Sequence, residues 1–181
     1  KYIECDFKNI EIKSSNINSQ IYNCNINGKE LRDLEIKLIG DHQIKNSIVA
    51  LNVIEYLNDI KITNISEENI RKGLLGTKWP GRIEKISENP MFIIDGAHNE
   101  EGAKSLANSI DKYFENKNKI LVIGMLEDKD IDSVLDLLIP KFNKVITTTP
   151  DNPRAIDANK LKEKIERYNI EVTCKPNIKE A

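Results

Sequence analysis

Two short strings hold the side chains of this chain best suited to chemistry: Trp79-Pro80-Gly81-Arg82-Ile83-Glu84 and Asp95-Gly96-Ala97-His98-Asn99. An arginine just after a Pro-Gly turn carries a permanent charge in a planar fork, which matches phosphate oxygens bidentately. On a hinge loop, Arg82 could be swung onto a terminal phosphate when two domains close. Trp79 beside it is expected in the core or packed at the hinge. The apolar run Met91 to Ile94 then delivers Asp95 and His98 at its C-terminal end. In a mostly parallel α/β sheet, ligands bind outside the carboxyl ends of the strands. Asp95 could there accept hydrogen bonds from ribose hydroxyls or orient a cation, and Asn99 is placed to cap the helix that follows.

Three further segments carry weaker signals. Gly40-Asp41-His42-Gln43-Ile44-Lys45-Asn46 joins a strand to a helix. A carboxamide in the first helical turn can both donate to and accept from an adenine edge, and Asn46 is so placed. The alternative is that Asp41 or Asn46 only caps the helix; His42 reads as a loop histidine. Gly124-Met125-Leu126-Glu127-Asp128-Lys129-Asp130 follows a strand, with Asp130 the expected N-cap and Lys129 divided between site and surface. Pro150-Asp151-Asn152-Pro153-Arg154-Ala155 lies at another strand end. Arg154 either faces a substrate carboxylate or sits exposed on a proline-stiffened turn.

The elements that must position these groups are legible from periodicity. The first 40 residues read as a β-meander: Asn27-Gly28 is a hairpin signal, and Leu34, Ile36 and Leu38 alternate with charged residues. A helix follows, with Ile44, Ile48, Leu51 and Ile54 on one face. Ser66 should cap a second helix whose first turn holds Glu67 and Glu68, with Ile65 and Ile70 as a hydrophobic staple. Gly73 to Gly81 reads as a domain connection. Beyond it, strands at 91–95, 119–125, 143–149 and 170–174 alternate with helices near 100–115, 130–139 and 157–168. Such units imply α/β architecture, a doubly wound, mostly parallel sheet with right-handed crossovers and flanking helices.

Composition excludes several classes. The chain has 181 residues, room for one ordinary or two small domains. A net charge of −2 from 27 basic and 29 acidic residues offers no field for nucleic acid or a membrane. No apolar run approaches the length of a spanning helix. Cys5, Cys24 and Cys174 lack metal-ligand spacing and read as free thiols of a reducing cytoplasm. No secretory signal opens the chain. It starts at Lys1 without a methionine and lacks G-x-x-x-x-G-K-[ST], so it reads as a piece of a larger protein. No G-x-G-x-x-G follows a strand, which argues against a dehydrogenase.

W-P-G-R-x-E paired with D-G-A-H at this separation, with the D-H-Q-x-x-N string upstream, resembles the folylpolyglutamate synthase/dihydrofolate synthase family of ATP-dependent ligases. These belong to the wider Mur-ligase group. The resemblance covers essentially the whole chain, as the C-terminal portion of such an enzyme. It implies that residues 1–78 end the central ATPase domain. Residues 79–181 would then form most of a Rossmann-like C-terminal domain, truncated at its end.

The resemblance also implies roles. Asn46 would contact adenine, Arg82 the ATP phosphate and Asp95 the nucleotide, while His98 would lie near the incoming glutamate; Arg82 and His98 would be the catalytic pair. G-M-x-x-D-K-D looks like the family's string, which makes Lys129 a candidate glutamate contact. In the Mur ligase that adds a diamino acid, an identical D-N-P-R string supplies an arginine for the substrate carboxylate, which suggests Arg154 faces glutamate. ATP and Mg2+ are the implied cofactors. The magnesium ligands, the P-loop, the carbamylated lysine and the folate site would belong to the missing N-terminal portion.

The implied reaction activates a folate or dihydropteroate carboxylate as an acyl phosphate, which the amino group of glutamate attacks. The parent enzyme would be a cytoplasmic monomer with small-molecule partners, and the fragment alone inactive. Two rivals stand beside this: a Mur ligase acting on a cell-wall precursor, whose string is usually D-Y-A-H, and a non-catalytic nucleotide- or amino-acid-binding module.

Overall fold

A computed structural model describes residues 4–181, which divide into two compact units, the first ending at Asp95 and the second starting at Gly96. The first opens with an antiparallel meander of β1 (Glu11–Ser15), β2 (Gln20–Ile26) and β3 (Lys29–Ile36), in that order. Asn27 and Gly28 both take positive φ between β2 and β3, as the hairpin signal predicts. The alternation in β3 departs from expectation: Leu31, Leu34 and Ile36 are buried, and the strand ends before Leu38. The reason is a bulge. The register shifts between Tyr22 and Cys24, Asp33 adopts φ 51°, and its N–H is taken by Asn23 Oδ1 at 2.8 Å. The extra residue restores Leu31 to the core face.

Helices α1 (Asp41–Asp59) and α2 (Glu67–Gly76) cover this sheet. Ile44, Ile48 and Leu51 of α1 and Ile70 of α2 join Tyr22, Cys24, Ile26, Leu31, Leu34 and Ile36 in one core. Burying each such side chain contributes about 1.5–3 kcal/mol. Ser66 caps α2 by accepting the Asn69 N–H, and Ile65 packs against the same core. Fully buried Gln20 donates to the carbonyls of Leu38 and Gly40 at 2.8 and 3.0 Å, which fixes the loop entering α1.

A two-stranded antiparallel sheet closes the unit: β4 (Glu84–Glu88) pairs with β5 (Met91–Ile94) across a cis Asn89-Pro90 bond. This corrects the expectation that strand 91–95 belongs to the parallel sheet. The Asn-Pro turn reverses the chain after β4, so β5 pairs with its immediate neighbour through a tight hairpin, with no crossover needed.

The second unit is built from α3 (Glu100–Phe114), β6 (Ile120–Ile123), α4 (Ile131–Leu138), β7 (Lys144–Thr147), α5 (Ala158–Glu166) and β8 (Glu171–Cys174). Its three strands run parallel in the order β6-β7-β8. One apolar face of each helix forms the core: Ala103, Ala107 and Ile110 of α3, Ile131, Val134, Leu135 and Leu138 of α4, and Leu161 and Ile165 of α5. Among the described residues no helix is long and apolar enough to cross a membrane. The three cysteines are unpaired, and burial pushes the Cys24 thiol up to about 11.

Candidate functional site

The loop that carries Arg82 is bent by two residues in the left-handed region, Gly81 at φ 72° and Ile83 at φ 46°. Glycine takes that conformation without penalty. For a β-branched residue it is a strained state worth about 1–3 kcal/mol, held only where its surroundings impose it. They do so here. The Ile83 side chain is only 5% exposed, and its N–H donates to Asp95 Oδ2 at 2.9 Å. On the other side of Arg82, the Gly81 N–H donates to Glu84 Oε2 at 2.8 Å. The β4–β5 register sets Glu84 opposite Ile94, which brings Asp95 back beside Ile83. The two strongest strings of the sequence are therefore tied together by a backbone-to-carboxylate bond. Arg82 and Asp95 are both half-exposed. Trp79, expected in the core or at a packed hinge, is instead 63% exposed, since it lies in the irregular connection between α2 and β4.

The start of α1 belongs to the same group. His42 is half-buried, and burial is the first cause that lowers its pKa from the ordinary 6.5. The charge of Asp95 pulls it back up, Arg82 pushes it down and Asp41 pulls it up. A histidine expected in a loop thus sits in the field of Arg82 and Asp95, two of the three expected nucleotide contacts. Gly40 is the N-cap of α1, with no side-chain capping bond, so neither Asp41 nor Asn46 caps this helix. Because α1 begins at Asp41, Asn46 falls in its second turn and not in the first as expected. It is exposed, and its Nδ2 donates to Oε1 of the buried Gln43 at 3.2 Å.

The remaining predicted residues lie in the second unit. Asn99 caps α3 by accepting the Gly102 N–H at 2.9 Å. His98 is exposed, and its Nδ1 lies 2.9 Å from the Gly96 carbonyl oxygen. A carbonyl can only accept, so this bond uses an Nδ1–H and leaves Nε2 of the neutral ring as the acceptor. That is the form suited to take a proton or a hydrogen bond from an amine.

Lys129 and Arg154 come together on a third residue that the sequence reading passed over. The Asp128 carboxylate lies 3.1 Å from an Arg154 guanidinium nitrogen and 4.0 Å from Lys129 Nζ. Their loops are joined by Glu127 N–H to the Arg154 carbonyl at 2.8 Å and Ile156 N–H to the Met125 carbonyl at 3.0 Å. Gly124 permits the approach: a Cβ there would stand 2.7 Å from two Pro150 ring carbons and 2.8 Å from the Thr148 carbonyl oxygen. Asp130 caps α4 as expected, and its bonds from Ser133 hold it below the usual carboxylate range. The Thr148 hydroxyl, at the end of β7, is buried with no hydrogen-bond partner among the described residues.

A family model described as "Mur ligase, glutamate ligase domain" matches residues 81–181. The chain belongs to this family. Relatives of this glutamate ligase domain are synthases of folate metabolism. The dihydrofolate synthase/folylpolyglutamate synthase of Bacillus subtilis is 36% identical over 129 residues, 71% of this chain and 30% of that one. The folylpolyglutamate synthase of Lacticaseibacillus casei is 35% identical over 127 residues, 70% of this chain and 29% of that one. The chain thus spans about a third of the length of these curated relatives. Mycobacterium tuberculosis folylpolyglutamate synthase complexed with ADP superposes with a TM-score of 0.85 at 28% identity, over 96% of this chain and 39% of that one. The α/β architecture implied by the resemblance, a parallel sheet with flanking helices, is the architecture found.

Proposed function

We propose that this chain is the C-terminal portion of an ATP-dependent ligase that joins L-glutamate to a folate or dihydropteroate carboxylate. Residues 1–78 would end its central ATPase domain and 79–181 would form most of its C-terminal domain. The observation that carries this reading is the Arg82 loop, held by the Asp95 carboxylate in a chain that superposes on a folylpolyglutamate synthase complexed with ADP.

In this reading the terminal phosphoryl of ATP passes to the acceptor carboxylate, giving an acyl phosphate and ADP. The amine of glutamate attacks the acyl carbon, an amide forms, and phosphate leaves. Arg82 places its fork against phosphoryl oxygens, where charge spreads during transfer. Asn46, exposed on α1, offers a carboxamide to adenine. Asp95 holds the arginine loop with Oδ2 and contacts the nucleotide as well. His98 presents Nε2 to the glutamate amine, while Arg154 and Lys129, already gathered around Asp128, face its carboxylates. These groups fit a polyanionic nucleotide and an amino acid. Magnesium, when bound, would neutralise charge on the transferring phosphoryl. In this reading its ligands belong to the N-terminal portion of the enzyme, as the resemblance implies. The working enzyme would be a monomer with small-molecule partners.

Phosphate release by the full-length protein, dependent on ATP, a folate acceptor and glutamate together, tests the reading. Release with a cell-wall precursor in place of the folate, or nucleotide binding without release for any acceptor, would overturn it.

A further inference from the structure

Glu84 has no part in the ligation chemistry above, yet it closes the turn from which Arg82 projects. We propose that Glu84 is a positioning residue for Arg82, whose carboxylate fixes the direction in which the guanidinium leaves the loop. The proposal rests on the reading of Arg82 as the phosphate-binding arginine.

Arg82 stands between two left-handed residues, and their dihedrals set where its Cα–Cβ bond points. The side following Arg82 is restrained twice, by burial of the Ile83 side chain and by Asp95 on the Ile83 N–H. The side preceding it is Gly81, the residue type with the widest conformational freedom. What restrains Gly81 is the Glu84 carboxylate on its N–H at 2.8 Å, a charge-assisted bond. Glu84 can act as an anchor because it is the first residue of β4 and is paired across the hairpin with Ile94. Its carboxylate is spent on backbone: among the described residues no ion pair joins it to Arg82, so the guanidinium is left for an anion. Fixing both flanks of an arginine before ligand arrives removes ordering entropy that transfer would otherwise have to supply.

The test is a double-mutant cycle in the full-length ligase, read as kcat with ATP saturating and alongside thermal melts. Glu84→Ala should lower kcat on the order of ten- to a hundredfold, as misplacement of a charge-stabilising group does. Glu84→Gln, whose carboxamide oxygen can still accept the Gly81 N–H, should recover most of it. In an Arg82→Ala background, Glu84→Ala should add almost nothing, since its effect passes through Arg82. If Glu84→Ala does not fold, Glu84→Asp, one methylene too short to reach, replaces it in the same cycle. Losses that multiply in the double variant, or normal kcat in the Glu84 variants beside an impaired Arg82→Ala, overturn the proposal. Normal kcat in Arg82→Ala alone overturns the reading of Arg82 and this inference with it.

Discussion

Asp95 Oδ2 accepts the backbone N–H of Ile83, twelve positions back along the chain, at 2.9 Å. That bond makes the aspartate after β5 part of the apparatus that shapes the arginine loop before β4. It also means that a variant of Asp95 cannot be read as loss of a ligand contact alone.

Arg82 is the residue on which turnover should depend most. Losing one charge-assisted phosphate contact costs about 1.5–3 kcal/mol, and more where the contact tightens in the transition state. Arg82→Ala in the full-length ligase should therefore cut turnover at least about tenfold with no change in melting temperature, because the residue is half-exposed and the loop is held by its neighbours. Arg82→Lys should recover only part, since an ammonium lacks the planar fork. Steady-state kinetics beside thermal melts decide it; wild-type kinetics in both variants would mark a surface charge.

The 181-residue chain should fold and yet show no ligase activity. Each unit has its own apolar core, the first under β1–β3 and the second between β6–β8 and the three helices. In the proposed reading, Arg82 acts on phosphates that a P-loop holds, and the chain carries no G-x-x-x-x-G-K-[ST] string. Circular dichroism should report a cooperative melt, and a phosphate-release assay with ATP, folate and glutamate should stay at background. Release above background from a pure sample would contradict this.

What the sequence made legible was whatever local chemistry decides. Ser66, Asn99 and Asp130 were expected as caps and do cap, because a capping bond spans three residues. The core faces of α3, α4 and α5 follow from a period that needs no partner to be read. Strand β4 escaped because Lys85-Ile86-Ser87-Glu88 offers one apolar residue, and its ladder partner comes after the turn. Without β4, strand 91–95 could only be assigned to the parallel sheet. Asp128 escaped for a different reason: its partner Arg154 is 26 residues away and meets it through loop packing, which no spacing encodes. The signal for Gly124 was present in its glycine, but only the approach of Pro150 gives that a reason.

Gly124→Ala should destabilise the second unit. The new Cβ would meet two carbons of a stiff proline ring and a backbone carbonyl, all within 2.8 Å, and none of them yields as a flexible side chain would. Overpacking of this kind costs about 1–3 kcal/mol, enough to lower Tm by several degrees. An unchanged melting curve would show that the loops after β6 and β7 give way freely.

The pH dependence of stability should carry the mark of His42. Burial holds its folded-state pKa below the ordinary 6.5. In the window between the two values the unfolded chain binds more protons, so stability rises with pH. The contribution is whole above pH 6.5 and is lost as pH falls through the folded pKa. His42→Gln should flatten that limb. Because Arg82 pushes this pKa down and Asp95 pulls it up, Arg82→Ala should raise it and Asp95→Asn should lower it, read by NMR titration of the ring. A His42 pKa indifferent to both substitutions would show that the three groups do not share a field.

Asp95 and His98, three residues apart in sequence, should separate in kinetics. Asp95 belongs to the first unit and is bonded to the arginine loop; His98 belongs to the second and is oriented by the Gly96 carbonyl. Asp95→Ala should raise the apparent KM for ATP and also lower kcat, because it removes a nucleotide contact and releases the strained Ile83 together. Asp95→Asn, which keeps an acceptor for the Ile83 N–H, should restore kcat further than KM. His98→Ala should raise the KM for glutamate and leave that for ATP alone, since the ring is held at Nδ1 and keeps Nε2 as its acceptor. If the whole segment served only to start α3, both variants would lower Tm with both KM values unchanged. Equal effects of each variant on ATP and glutamate would refute the division of labour, whatever the melting temperatures.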